Sequence, residues 1–209
     1  MKKIIIIAFI FTFGNSFSQE NEEFLNIKKG TWNLGGKVSF LHNNYENKHN
    51  DNNPYENKLT NLNFEPQIGY AVGNNFSIGI GLGYGYSKNK SNSYDYESVE
   101  NTYSVFPYVK KYFSVGKKLT INLQGELRYT EFENNNEISE NDRSGNKLFI
   151  GIRPGITYFL NKNLALDSNI GSLGYSTSKY DDYNHNEKSN GFNFSLNSSA
   201  LFFGLSYYL

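Results

Sequence analysis

Glu65-Pro66-Gln67-Ile68-Gly69-Tyr70-Ala71-Val72, then Gly73-Asn74-Asn75, then Phe76-Ser77-Ile78 decides the fold, because the chain writes this pattern three times. The second copy is Phe106-Pro107-Tyr108-Val109-Lys110-Lys111-Tyr112-Phe113, a break at Ser114–Lys118, then Leu119-Thr120-Ile121. The third is Arg153-Pro154-Gly155-Ile156-Thr157-Tyr158-Phe159-Leu160, a break at Asn161–Asn163, then Leu164-Ala165-Leu166. Each copy is an alternating strand, a tight polar turn and a second alternating strand. A repeated hairpin fixes architecture before any single residue does, and this one specifies up-and-down β structure.

Working outward, eight alternating runs are legible. They cover 31–41, 60–72, 76–87, 103–113, 119–132, 147–160, 164–176 and 192–209. In the third, Phe76, Ile78, Ile80, Leu82, Tyr84 and Tyr86 alternate with Ser77, Gly79, Gly81, Gly83 and Gly85. Strict period-two alternation at this length is a strand signal, not a helix signal. The connections alternate too: short at Gly73–Asn75, Ser114–Lys118 and Asn161–Asn163, long and polar at 43–58, 88–101, 133–146 and 178–190. Short turns on one side and long loops on the other are the asymmetry of outer-membrane barrels. The fold expected is an all-β, eight-stranded antiparallel up-and-down transmembrane β-barrel with both termini on the periplasmic side.

The ends and the composition agree. Lys2-Lys3, the ten-residue apolar stretch Ile4–Phe13, and Ser16 and Ser18 placed for cleavage before Gln19 read as a secretory signal peptide. The apolar run is about half the roughly 20 residues that a spanning helix needs. The expected organisation is a cleaved signal peptide over 1–18, a short periplasmic segment over 19–29 and one barrel domain over 30–209. There is no cysteine, which removes disulfides, thiolate metal sites and a lipid anchor on an N-terminal Cys. Mean hydropathy is −0.59, yet aromatics are 17% of the chain. Disordered chains lack aromatics, whereas a barrel keeps apolar residues on alternate positions only. Formal charge is zero, which gives no footprint for nucleic acid.

Trp32, Tyr70, Phe113, Tyr158 and Tyr207 fall near the short-turn ends of their strands. Tyr86, Tyr103, Tyr129 and Phe132 fall near the long-loop ends. Two aromatic bands at consistent depth are the interfacial girdles of a membrane protein. Any one of these rings alone would read as ordinary packing. A soluble lipocalin-like barrel also has eight strands, but it needs an apolar inside and a polar outside. Pro66, Pro107 and Pro154 sit inside strands, where bulges are expected around them.

These residues resemble the small outer-membrane β-barrel family of Gram-negative bacteria that shares the OmpA-like eight-stranded barrel. The resemblance runs from about Gly30 to Leu209. It rests on Gly30-Thr31-Trp32-Asn33-Leu34-Gly35-Gly36, the three proline-centred hairpins, and the ending Leu201-Phe202-Phe203-Gly204-Leu205-Ser206-Tyr207-Tyr208-Leu209. It implies residence in the outer membrane and contact with its lipid and lipopolysaccharide. It also implies insertion by the barrel-assembly machinery and a monomeric state. Leu209 departs from the family's usual terminal Phe. The sequence to Leu209 shows no peptidoglycan-binding domain, so a cell-wall anchoring role is not expected.

The inward parity carries Lys37, Glu65, Lys110, Glu126, Arg128, Arg153 and Asp167. An eight-stranded barrel is just wide enough for its own side chains, and an unpaired buried charge costs several kcal/mol. The reading favoured is a salt-bridged plug in a barrel with a structural or interaction role; the alternative is a narrow porin-like channel through rearranging pairs. A third reading, a lipid A-modifying enzyme, would rest on His42 at the outer rim, but an isolated rim histidine is far more often a plain interfacial residue. His49 and His185 fall in outer loops. No enzyme activity and no cofactor are expected. Asp182, Asn184 and Asn186 begin like a calcium loop, but Glu187 stands where glycine is needed and no Glu closes it. Tyr45, Tyr55, Tyr94, Tyr96, Tyr180 and Tyr183 among polar residues resemble an adaptable recognition surface for an unknown extracellular ligand. Plain exposed loops share that composition.

Overall fold

The computed structural model describes residues 25–47, 55–91, 96–136, 143–182, 185–195 and 202–209. The expected signal peptide over 1–18, residues 19–24, His49, Tyr94, Tyr183 and Asn184 lie outside them. The described residues form ten strand segments: β1 (Trp32–Asn47), β2 (Tyr55–Gly73), β3 (Phe76–Ser91), β4 (Tyr96–Ser114), β5 (Leu119–Asn136), β6 (Arg143–Phe159), β7 (Leu164–Asn169), β8 (Ser172–Asp182), β9 (His185–Ser195) and β10 (Phe202–Tyr208). β7 and β8 both pair with β6 and form the seventh barrel strand; β9 and β10 pair with β8 and β7 and form the eighth. Each strand pairs antiparallel with its sequence neighbour, and β10 returns to β1 through Asn33↔Tyr208 to Val38↔Phe203. The result is a closed eight-stranded antiparallel barrel.

Alternation sorts the side chains. Trp32, Leu34, Val38, Ile78, Ile80, Leu82, Ile121, Leu123, Ile150 and Leu205 are exposed on the outside. Asn33, Lys37, Glu65, Gln67, Lys110, Asn122, Gln124, Glu126 and Asp167 are buried inside. This is the inverse of a soluble barrel, and it excludes the lipocalin-like reading. An apolar exterior is stable only against hydrocarbon.

The strands run past the expected limits. β2 and β4 are each 19 residues long, against roughly 9–11 needed to cross a bilayer at a tilt. Most of each stretch read as a long loop is paired strand: Asn47↔Tyr55 closes one hairpin and Ser91↔Tyr96 the next. β5 continues to Asn136, opposite Ser98, and β8 and β9 pair out to Asp182↔His185. Out there both faces are largely polar, so the apolar period disappears while backbone pairing persists.

The prolines behave in two ways. Pro66 stays in register with Gly36 on β1, while the ladder to β3 skips Glu65 and Pro66. Register is the same on either side, from Phe64↔Tyr84 to Gln67↔Gly81. Pro107 repeats this, paired with Ile80 while the ladder to β5 skips Phe106 and Pro107. The bulge expected at these two sites is therefore replaced by an in-register gap that absorbs the missing N–H. At Pro154 the register does shift, between Ile152↔Leu173 and Gly155↔Asn169, and the amide of Ile170 donates to the Pro154 carbonyl at 3.1 Å. That shift coincides with the break between β7 and β8.

The glycine stripe of β3 has a packing reason. Gly79, Gly81, Gly83 and Gly85 stand opposite Tyr108, Phe106, Ser104 and Thr102 of β4. A Cβ on Gly81 would lie 2.3 Å from Phe106 Cζ, and one on Gly79 would lie 2.4 Å from Tyr108 Cζ. The β4 rings lie flat over the bare backbone of β3 and fill the lumen from that side.

Candidate functional site: the barrel interior

Three layers occupy the lumen. The lowest is a floor built by the N-terminal segment. Ile27 is 5% exposed and clusters with Ala71, Tyr112, Phe159, Ala165 and Tyr208, with Leu25 packed against them. Backbone bonds knit this segment to the first short turn: Asn75 N–H donates to the Ile27 carbonyl at 2.8 Å, and Ile27 N–H donates to Asn75 Oδ1 at 2.8 Å. Asn75 adopts φ +56°, a left-handed conformation that asparagine tolerates well. The hydroxyls of Tyr112 and Tyr208 meet at 3.3 Å, and the rings of Phe159 and Tyr208 at 4.9 Å. Residues 25–29, read from sequence as a plain periplasmic segment, are thus part of the barrel's closure.

The middle layer is ionic. Glu126, its side chain fully buried, accepts from Arg128 Nε at 2.9 Å, Arg153 Nε at 2.7 Å and Gln124 Nε2 at 2.9 Å. Arg128 also pairs through Nη1 with Glu65. Its guanidinium lies over the Phe106 ring at 3.8 Å, and Arg153 lies 5.4 Å from the Phe149 ring. Four of the seven charges on the inward parity are therefore brought into one cluster. The other three are not. Asp167 accepts from Thr157 at 2.5 Å and from Ser206. Lys110 sits over Tyr108 and Tyr112 at 5.4 and 5.9 Å. Lys37 Nζ is buried with no hydrogen-bond partner among the described residues. The expectation that every inward charge pairs directly fails here. Asp167, Glu65 and Glu126 face Lys37 across the lumen without touching it.

Above the ionic layer lies an open vestibule of about 380 Å³. Arg128 and Arg153 form its base, Lys147 and Phe149 rise along β6, and Glu100 faces them from β4. The rings of Phe132 and Tyr180 meet at 5.2 Å on its wall. Phe132, assigned from sequence to the outer girdle, turns inward instead, because it shares the parity of Glu126 and Arg128.

The aromatic positions outside are as follows. Trp32 and Tyr70 rings lie 4.9 Å apart at the short-turn end, where Phe113, Tyr158 and Tyr207 are also exposed. At the long-hairpin end Tyr103 packs on Tyr84 at 5.5 Å, Tyr129 donates to Glu131 at 3.0 Å, and Tyr86 is half-buried. Tyr175, Phe192 and Phe194 are exposed on the outside as well. His42 is exposed, and its Nδ1 meets Thr60 Oγ1 at 2.9 Å. Among the described residues no group of His, Cys, Asp and Glu could hold a metal ion.

Comparison with known proteins shows the fold. Residues 121–204, less than half of the chain, match a family model described as "Protein of unknown function (DUF3575)". No curated protein matches. Among solved structures, the chain is similar to a major outer membrane protein of Thermus thermophilus, with TM-score 0.51 and 12% identity over 86% of this chain and 99% of that one. It is also similar to the translocator domain of the autotransporter NalP of Neisseria meningitidis, with TM-score 0.51 and 14% identity over 91% of this chain and 67% of that one. Neisserial surface protein A aligns at TM-score 0.47 and 13% identity, over 86% of this chain and 99% of that one. At such identities the likeness carries the architecture alone. The fold is that of outer-membrane β-barrels.

Proposed function

We propose that this protein is an exported outer-membrane barrel of the OmpA-like kind, non-conducting, with a structural or interaction role. In this reading the short turns and both termini face the periplasm. The long hairpins project outward from outer-leaflet lipid and lipopolysaccharide. The chain is inserted as a monomer by the barrel-assembly machinery.

The observation that carries the reading is double closure of the lumen. Ile27 with Tyr112, Phe159 and Tyr208 makes an apolar floor, and the Glu65–Arg128–Glu126–Arg153 cluster blocks the level above. A channel needs a hydrated path past weak sites; an apolar floor opposes one. The channel reading would require the N-terminal segment to leave its bonds to Asn75. The enzyme reading finds little support, since the hydrogen bond of His42 is to a threonine directly opposite it on β2, and we assign no catalytic residue.

Planar-bilayer recording of the purified protein tests the proposal. Wild type should be silent or show rare, small openings, and Ile27→Arg should raise the frequency of openings. Steady, large wild-type currents would overturn the closed-barrel reading.

A further inference from the structure

We propose that the outer vestibule is a binding cup for a small organic anion, a carboxylate or phosphate joined to an apolar ring or chain. The inference rests on the closed-barrel reading, because a sealed base turns the vestibule into a dead-end cup rather than the mouth of a path.

Size comes first. About 380 Å³ lies at the small end of the roughly 300–1,000 Å³ typical of ligand pockets. A single small molecule fits; a polymer does not.

The charge is fixed in place before any ligand arrives. Arg128 is gripped by Glu65, Glu126 and the Phe106 ring, and its side chain is 12% exposed. Its Nη2 is buried beside the cavity with no hydrogen-bond partner among the described residues. Arg153 is held through Nε by the same Glu126 oxygen. Two immobilised guanidiniums at the base of a pocket lose little entropy on meeting an anion, and charge-assisted hydrogen bonds are the strong kind. Lys147, inward on β6 opposite Thr130 and Ser178, has no ion pair among the described residues and adds a third cation on the wall.

Acidic groups do not offset this at the point of binding. Glu65 and Glu126 lie beneath the guanidiniums and are occupied by them. Among the described residues that line the cavity, Glu100 of β4 is the one carboxylate not held in the ionic cluster. A cation entering the cup would meet two fixed guanidiniums and the exposed Lys147 for that one carboxylate.

The apolar part of the ligand is set by the rings. Phe149 is buried at the base, and the Phe132–Tyr180 pair covers one wall. Hydroxyls such as Ser176 line the rest. Inorganic phosphate would use the base and leave the rings unmatched; an anion carrying a ring uses both.

Calorimetric titration of the whole barrel in nanodiscs tests this, with phenyl phosphate, inorganic phosphate and phenol as probes. Phenyl phosphate should bind once per barrel, more tightly than inorganic phosphate, and phenol should not saturate. Lys147→Glu should weaken phenyl phosphate by about tenfold or more, because it reverses a charge in the wall. Ser176→Trp should abolish binding by filling the cup. Neither residue belongs to the ionic cluster, and heat-modifiable gel migration checks that both variants are folded. The proposal is overturned if phenyl phosphate fails to saturate, if inorganic phosphate matches it, or if both variants bind like wild type. Bilayer currents are read on the same preparation. Large currents with binding retained would sink the seal and leave the cup; silence without binding would do the reverse.

Discussion

Gly81→Ala is the sharpest probe of how this lumen is filled. A methyl at Gly81 would sit 2.3 Å from Phe106 Cζ and 2.4 Å from Cε2. Carbon atoms pack at about 3.5–4.0 Å, so the ring has to retreat by more than about 1 Å. It has nowhere to go: Phe106 is fully buried, and the Arg128 guanidinium lies 3.8 Å above it. Overpacking of this sort costs about 1–3 kcal/mol, and a disturbed guanidinium–ring contact adds about 1 kcal/mol. The expected loss is about 2–4 kcal/mol. Gly36→Ala is the control, since Gly36 faces outward and its nearest atom would be 3.6 Å away; it should stay within about 0.5 kcal/mol. Urea unfolding in lipid vesicles, followed through the single tryptophan, Trp32, measures both. Phe106→Leu in the Gly81→Ala background should recover at least about 1 kcal/mol relative to additivity. If Gly81→Ala is as harmless as Gly36→Ala, or if the two lumen changes simply add, the account of the glycine stripe is wrong.

Two further outcomes are expected. Ile80→Arg and Leu123→Arg, both on exposed outward positions, should each lose roughly 2–4 kcal/mol in lipid when the residue lies near the midplane; unchanged stability would refute the inside–outside assignment. Glu126→Gln leaves two guanidiniums without their shared carboxylate, and should cost roughly 3 kcal/mol in the same unfolding assay, the low end for a broken buried pair because Arg153 keeps a side-chain exposure of 20%; a near-neutral result would mean that water already screens the cluster.

What the sequence reveals follows from what each position touches. Strands that cross between lipid and lumen alternate, so Phe76–Tyr86 could be placed by period alone. Beyond Tyr86 the β3 residues Ser87 to Ser91 are polar on both parities, and nothing in their order announces that they pair with Glu100 to Tyr96. The inward charges were legible as a set, because charge on one parity of an apolar strand has nowhere else to go. Their pairing was not, since it depends on which strands the shear brings level: Glu65 of β2 reaches Arg128 of β5 across the lumen. The inward rings were hidden for another reason. Tyr108, Tyr112, Phe149 and Phe159 resemble their outward neighbours in chemistry, and a bare glycine directly opposite marks only Tyr108 of the four as filling, through Gly79. The floor was hidden because Ile27 lies outside any alternating run.

That floor has a consequence for assembly. Its side chains come from both extremes of the described chain: Ile27 precedes the first strand, and Tyr208 ends the last. Tyr208 can take its place only after β10 has docked along β1, the one pairing that joins distant parts of the sequence. Asn163 helps to hold it there, donating through Nδ2 to the Tyr208 carbonyl at 2.6 Å and accepting its amide at 2.6 Å. The plug is therefore a late event, contingent on completion of the wall. A nascent barrel with its last strand still outside would be leaky at its base, and the finished one becomes tight in the same step that makes it a closed cylinder.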